Sequence, residues 1–136
     1  MPLATAAGTV PRLPGVYMMR DRDGSVVYVG MAGDRSGGRK PSGMRGRLTV
    51  YASGKGAVSG FGEAAMDRAL ADENFIREQW TALRDGMPRR AKRWAQDAIE
   101  WHGVEVRWTV STSEEEAKST EDEVVALLRP SGLWNR

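Results

Sequence analysis

Residues 15–30 read Gly15-Val16-Tyr17-Met18-Met19-Arg20-Asp21-Arg22-Asp23-Gly24-Ser25-Val26-Val27-Tyr28-Val29-Gly30. The two outer runs, GVYMMR and SVVYVG, are short and rich in β-branched and aromatic residues, which suit a pleated, half-buried surface. The polar Asp21–Gly24 between them ends in Asp-Gly, a dipeptide that supplies the positive φ of a tight hairpin turn. The stretch predicts an antiparallel hairpin. Opening strands of that kind argue against a doubly wound nucleotide-binding sheet.

Working outward, Pro11 and Pro14 punctuate the chain before the hairpin, and residues 1–10 read as a loose, flexible N-terminus. Residues 31–46 are rich in glycine and basic side chains and are expected to form a loop, with a short helix from Met44 to Ala52 after it. A helical stretch from Ala64 to Asp85 places Ala65, Ala69, Ile76, Trp80 and Leu83 near one face, and Asp72 is a possible cap for a second segment. Gly86 and Pro88 stop it. A further helix runs from Arg89 to His102, with Trp94, Ala98 and Trp101 on its apolar side. Val104–Val110 alternates as a half-buried strand does. Ser113 with Glu116 forms a capping-box pattern for a last helix, Glu114–Leu128, closed by Pro130 and Gly132. The expected fold class is α/β in the α+β sense: a small, mainly antiparallel three-stranded sheet flanked by helices, within one domain over residues 11–136 that carries a helical insertion at about 62–103.

The 136 residues contain no cysteine and one histidine, His102, which excludes a disulfide scaffold, a thiolate metal site and a multi-histidine zinc site. No apolar run approaches the ~18 residues needed to cross a bilayer, and residues 1–10 lack the charged leader of a secretory signal. A cytoplasmic protein without membrane contact is expected. Net charge is only +2, but its placement is uneven. Residues 35–47 hold five basic side chains and no acidic one; Arg89, Arg90, Lys92 and Arg93 form a second cluster; and acids gather at residues 114–123. Segregation of this kind suits a polyanion on one face, with Arg39, Lys40, Arg45, Arg89, Arg90 and Arg93 as phosphate contacts. A plainly solvated cationic surface accounts for the same charges.

Glu121 is the anomaly of the last helix. Ala117, Val124, Val125 and Leu128 share one side of it, and Glu121 falls in the middle of that stripe. A carboxylate on a buried face is costly unless a cation, a metal or strong hydrogen bonds meet it. Periodicity alone fits an arginine partner as well as a metal. Arg47 and Tyr51, spaced i and i+4, share a face of the short helix; a guanidinium there offers a planar fork that fits phosphate.

Taken together these residues resemble the GIY-YIG nuclease superfamily. Gly15-Val16-Tyr17 and Tyr28-Val29-Gly30 stand ten residues apart, with valine in place of isoleucine in both triplets. Arg47 and Tyr51 then match the family's arginine helix, with Arg45 as the competing arginine. Glu121 stands four residues after Ala117 and nine before Pro130, and Asn135 is the candidate for a late asparagine, expected among the nucleic-acid contacts. The resemblance spans residues 14–135. It implies an endonuclease hydrolysing a nucleic-acid phosphodiester, DNA before RNA, with one divalent cation, Mg²⁺ (or Mn²⁺), held by Glu121. It further implies Arg47 on the non-bridging oxygens, Tyr17 as general base or water-positioner, Tyr28 orienting water or phosphate, and Tyr51 relaying a proton or binding phosphate. A homodimer or a larger repair or restriction assembly stays open, as does a non-catalytic nucleic-acid-binding or partner-binding module on the same fold.

If the basic clusters grip phosphates, affinity for duplex DNA falls with salt, each neutralised phosphate adding about −0.9 to the log–log slope. A titration between low and moderate salt measures it, and a flat response would remove the basic clusters from the interface.

Overall fold

The computed structural model describes residues 1–33, 42–86 and 89–136. Arg39 and Lys40 lie outside the described residues, as does Pro88. The hairpin forms as β1 (Gly15–Arg20) and β2 (Val26–Ala32), with Gly24 at φ 83° in the turn. The pairing is antiparallel and sets Tyr17 opposite Gly30 and Met19 opposite Tyr28, with a bulge after Met19. The other edge of β1 pairs antiparallel with β3 (Glu105–Val110), Tyr17 facing Trp108, so the sheet order is β2-β1-β3.

Alternation along these strands divides the molecule into two layers of packing. One sheet face carries Tyr17, Met19, Ala32 and Val106 and is covered by α1 (Leu3–Thr9), α2 (Gly43–Ala52), α3 (Gly60–Leu70) and α5 (Ala91–Trp101), with Leu3, Met44, Leu48, Phe61 and Ile99 filling the core. The opposite face carries Val16 and Val29 and receives α6 (Glu114–Leu128) through Ala117, Val124, Val125 and Leu128. The fold is thus α+β, a three-stranded antiparallel sheet between helices. No helix among the described residues is long and apolar enough to cross a membrane.

Local signals account for the boundaries. Asp72 caps α4 (Glu73–Arg84), its carboxylate accepting from the N–H groups of Asn74 (2.9 Å) and Phe75 (3.2 Å). Ser113 Oγ accepts from the Glu116 N–H at 3.1 Å. The return half of the capping box is displaced by one residue: Glu116 accepts from the Thr112 N–H and hydroxyl. A 3₁₀ turn at Arg129–Ser131 and left-handed Gly132, φ 89°, close α6.

Two expectations need correction. Residues 1–10 are not loose. Leu3–Thr9 is helical, Leu3, Ala6, Ala7 and Val10 are buried, and Met1 O accepts from the Val106 N–H at 2.7 Å. A short helix built of small residues shows no strong periodicity, and docking against α2 and β3 is what makes it form. The single apolar face expected from Ala65 to Leu83 is also broken. The chain bends between α3 and α4, so Ala69 and Phe75 point into a small cluster with Ala98, while Ile76, Trp80 and Leu83 face solvent.

Leu3→Ala should therefore lower the unfolding free energy by ~2–5 kcal/mol, the usual range for a buried leucine. Urea titration checks this; a change within ~0.5 kcal/mol, as for an ordinary surface site, would mean that the helix is not part of the core.

Candidate functional site

The site grows from the β1–β2 pairing. Tyr17 and Gly30 are cross-strand partners, and the Tyr17 ring lies against the Gly30 backbone; a Cβ at residue 30 would stand 2.5 Å from Tyr17 Cζ. Gly15 is constrained in the same way by Met44, whose Sδ would be 2.6 Å from a Cβ there. Both glycines in the paired triplets thus have a steric reason.

Three tyrosines meet behind this pair. Tyr51, on α2, is buried and packs in the same core as Tyr17 and Tyr28. It also accepts from the Phe61 N–H, in the first turn of α3, at 3.4 Å. The buried Phe61 ring wedges the group in place, edge-on to Tyr28 (5.5 Å) and to Tyr51 (5.6 Å). Gly60, at φ 51°, permits the close approach: a Cβ there would lie 2.5 Å from the Tyr51 hydroxyl and 3.3 Å from that of Tyr28.

The tyrosines differ in access. Tyr17 is 2% exposed. Burial raises its pKa well above the ordinary phenol value, reinforced by Tyr51 and Tyr28, with Arg47 opposing. Tyr28 is half-buried, and its pKa is likewise pushed up, by burial first and then by Tyr51; Glu121 adds to the rise and Arg47 works against it. Arg47 and Glu121 are therefore both near enough to act on Tyr28 with opposite sign. At neutral pH these phenols are protonated and offer O–H donors and oxygen lone pairs.

Tyr28 and Glu121 line one cavity of about 600 Å³ at the outer edge of β2, between α3 and α6, with Gly60, Glu63, Arg68 and Trp134. Glu121 is half-buried, its side chain 18% exposed, and Lys118 Nζ stands 3.1 Å from Oε1. The side-chain partner is thus a lysine one turn earlier on the same helix. Lys118 reaches the carboxylate from a neighbouring cavity that it lines with Asp122 and Arg129. Among the described residues no group of three acidic, histidine or cysteine side chains converges to hold a metal. The donor set fits a hard cation that keeps most of its waters, as Mg²⁺ does, and not a cation needing a full protein cage.

Arg47 is exposed and lines a neighbouring groove with Met31, Gly46 and Glu114, not the cavity of Glu121. Arg45 is engaged elsewhere, its Nε donating to Val10 O at 2.7 Å. Arg89 and Arg93 both hold Asp97, at 2.7 and 3.0 Å, and line cavities that include none of the tyrosines or Glu121; Arg90 is exposed at the start of α5. Asn135 is brought to the site, but its amide is paired with the backbone of Val29: Oδ1 accepts from the N–H at 3.0 Å and Nδ2 donates to the carbonyl at 2.6 Å.

Trp134 and Phe61 went unremarked in the sequence. Trp134 lies parallel to Phe61 at 6.1 Å, meets His102 edge-on at 4.9 Å, and carries the Arg68 guanidinium 4.7 Å over its ring. Both aromatics stand in short irregular or glycine-rich context, with no periodicity to mark them as packing residues. Compared with protein-family models and with curated proteins, the chain matches none.

Gly30→Ala should cost ~1–3 kcal/mol by overpacking against Tyr17. Gly8→Ala, where a Cβ meets nothing within 4 Å, should be neutral or stabilise α1 by up to ~1 kcal/mol. Thermal and urea unfolding of the two variants make the comparison; equal behaviour would mean that the Tyr17 ring does not need the glycine.

Proposed function

We propose that this chain is an endonuclease that hydrolyses nucleic-acid phosphodiester bonds with one divalent cation, in the manner of the GIY-YIG nucleases that its motifs resemble. One observation carries the reading. Tyr17, Tyr28 and Tyr51 converge from β1, β2 and α2, Arg47 stands one turn from Tyr51 on α2, and Glu121 of α6 shares a cavity with Tyr28 along the outer edge of β2. That cavity, about 600 Å³, is large enough for a nucleotide-sized group.

On this reading Glu121 would hold the cation through its carboxylate, with Lys118 giving way to it. The bound cation supplies Lewis-acid stabilisation of the leaving oxygen and the developing charge. Arg47 contributes a planar fork of donors to the non-bridging oxygens from the adjoining groove, an electrostatic task worth ~10²–10³ in rate for a single donor. Tyr28, the tyrosine that reaches the cavity, positions the attacking water or a phosphate oxygen through its hydroxyl. Tyr17 serves as a positioning residue, not as a base: its hydroxyl is buried and burial opposes its phenolate. Tyr51 connects the two hydroxyls and fixes their orientation.

The test is cleavage of a labelled panel of duplex, single-stranded and branched DNA plus RNA, with Mg²⁺, with Mn²⁺ and with EDTA. Wild type should cut in a metal-dependent way. Glu121→Gln should lose at least ~10³-fold in rate while retaining binding, and Arg47→Ala ~10²–10³-fold. Metal-dependent cutting by the Glu121 variant at the wild-type rate would overturn the metal-ligand role. Binding without cutting on every substrate would turn the assignment to a non-catalytic nucleic-acid-binding module.

A further inference from the structure

Helix α4 has two apolar faces, and the fold uses one. Phe75 is 1% exposed and lies edge-on to Trp94 (6.2 Å) and Trp101 (5.8 Å), while Gln79, one turn on, is 5% exposed. At 100° per residue, Ile76, Trp80 and Leu83 form a second strip about 60° wide, turned roughly 100° away from Phe75. They are 40%, 62% and 42% exposed and belong to none of the three apolar clusters. The other four tryptophans are all half-buried. A contiguous apolar strip around an exposed tryptophan, rimmed by charge, marks an interaction surface more often than a solvated one.

The rim indicates the partner. Beyond Trp80, on one side of the strip, stand Glu73 in the first turn and Arg84 in the last, with Arg77 between them held by Glu73 at 2.5 Å. An acid at one end and a base at the other make the strip self-complementary under a twofold axis. When α4 lies antiparallel on a second α4, Ile76 faces Leu83 of the other copy, the two Trp80 side chains meet near the axis, and Glu73 comes beside Arg84. We infer that α4 is a homodimer interface, with a second copy of this chain as its partner, packed antiparallel through Ile76, Trp80 and Leu83. A single helix pair buries an area at or below the ~1,200 Å² lower limit of stable interfaces, so the dimer dissociates on dilution. The inference rests on the surface of α4 alone and is independent of the nuclease reading. If that reading also holds, the dimer carries one cutting site for each strand of a duplex.

Sedimentation velocity from low micromolar to submillimolar concentration is the test. Wild type should pass from monomer to dimer. Trp80→Glu should weaken association by at least about 30-fold, the loss expected for a central tryptophan anchor, with an unchanged far-UV circular dichroism spectrum because Trp80 is exposed. Arg84→Glu should also weaken it, and adding Glu73→Arg should restore it by reversing both charges. A wild type that stays monomeric throughout would overturn the inference. So would a dimer untouched by Trp80→Glu, or a charge reversal that recovers nothing.

Discussion

The contact on which the rest of this structure depends is the Tyr17 ring against the backbone of Gly30. Cross-strand pairing sets the two opposite each other, and only a residue without a Cβ leaves room for the phenol. Once the ring lies there, its hydroxyl is sealed from water and requires a polar neighbour. Tyr51 packs into the same core, which ties α2 to this face of the sheet. Tyr51 in turn accepts from the first turn of α3, which requires Gly60 in the left-handed region and draws Phe61 into the core. The order of packing on this face of the sheet follows from that one approach.

The same packing limits the chemistry of the tyrosines. Removing Tyr17 and much of Tyr28 from water penalises their phenolates, and clustering three phenols adds to the penalty. Arg47 opposes the rise and Glu121 increases it. A cluster of this kind holds geometry well and gives up protons poorly. Its hydroxyls sit between charges that come from its two flanks, Arg47 in the groove and Glu121 in the cavity.

The exposed edge of β2 presents the opposite difficulty, because an edge strand carries unpaired backbone groups that invite other chains. Residues 134 and 135 meet that need. The Trp134 N–H donates to Val27 O at 2.6 Å, and the Asn135 amide both donates to and accepts from Val29, in the way a paired strand would. Trp134 is held meanwhile between Phe61, His102 and Arg68. This segment forms one wall of the cavity that contains Tyr28 and Glu121, so protection of the edge and shaping of the cavity are one structural act. A late asparagine that reads from the sequence as a nucleic-acid contact is engaged here as a backbone surrogate.

What the sequence determined by itself is what local rules govern. The Asp-Gly turn and the flanking β-branched and aromatic runs fixed the hairpin; Asp72 and Ser113 marked helix starts; Gly132 marked a stop; and helical periodicity set Glu121 on the inward stripe of α6 beside Ala117 and Val124. Each depends on residues within a few positions of one another, where backbone sterics and capping hydrogen bonds decide. Tertiary structure alone decided the rest. It turned residues 3–9 into a docked helix, rotated Ile76, Trp80 and Leu83 outwards at the α3–α4 bend, and engaged Arg45, Arg89 and Arg93 with Val10 and Asp97. It also separated the groove of Arg47 from the cavity of Glu121. These outcomes rest on contacts between residues tens of positions apart, whose energies come from burial and from polar partners supplied by other elements, and no local pattern encodes which element will arrive.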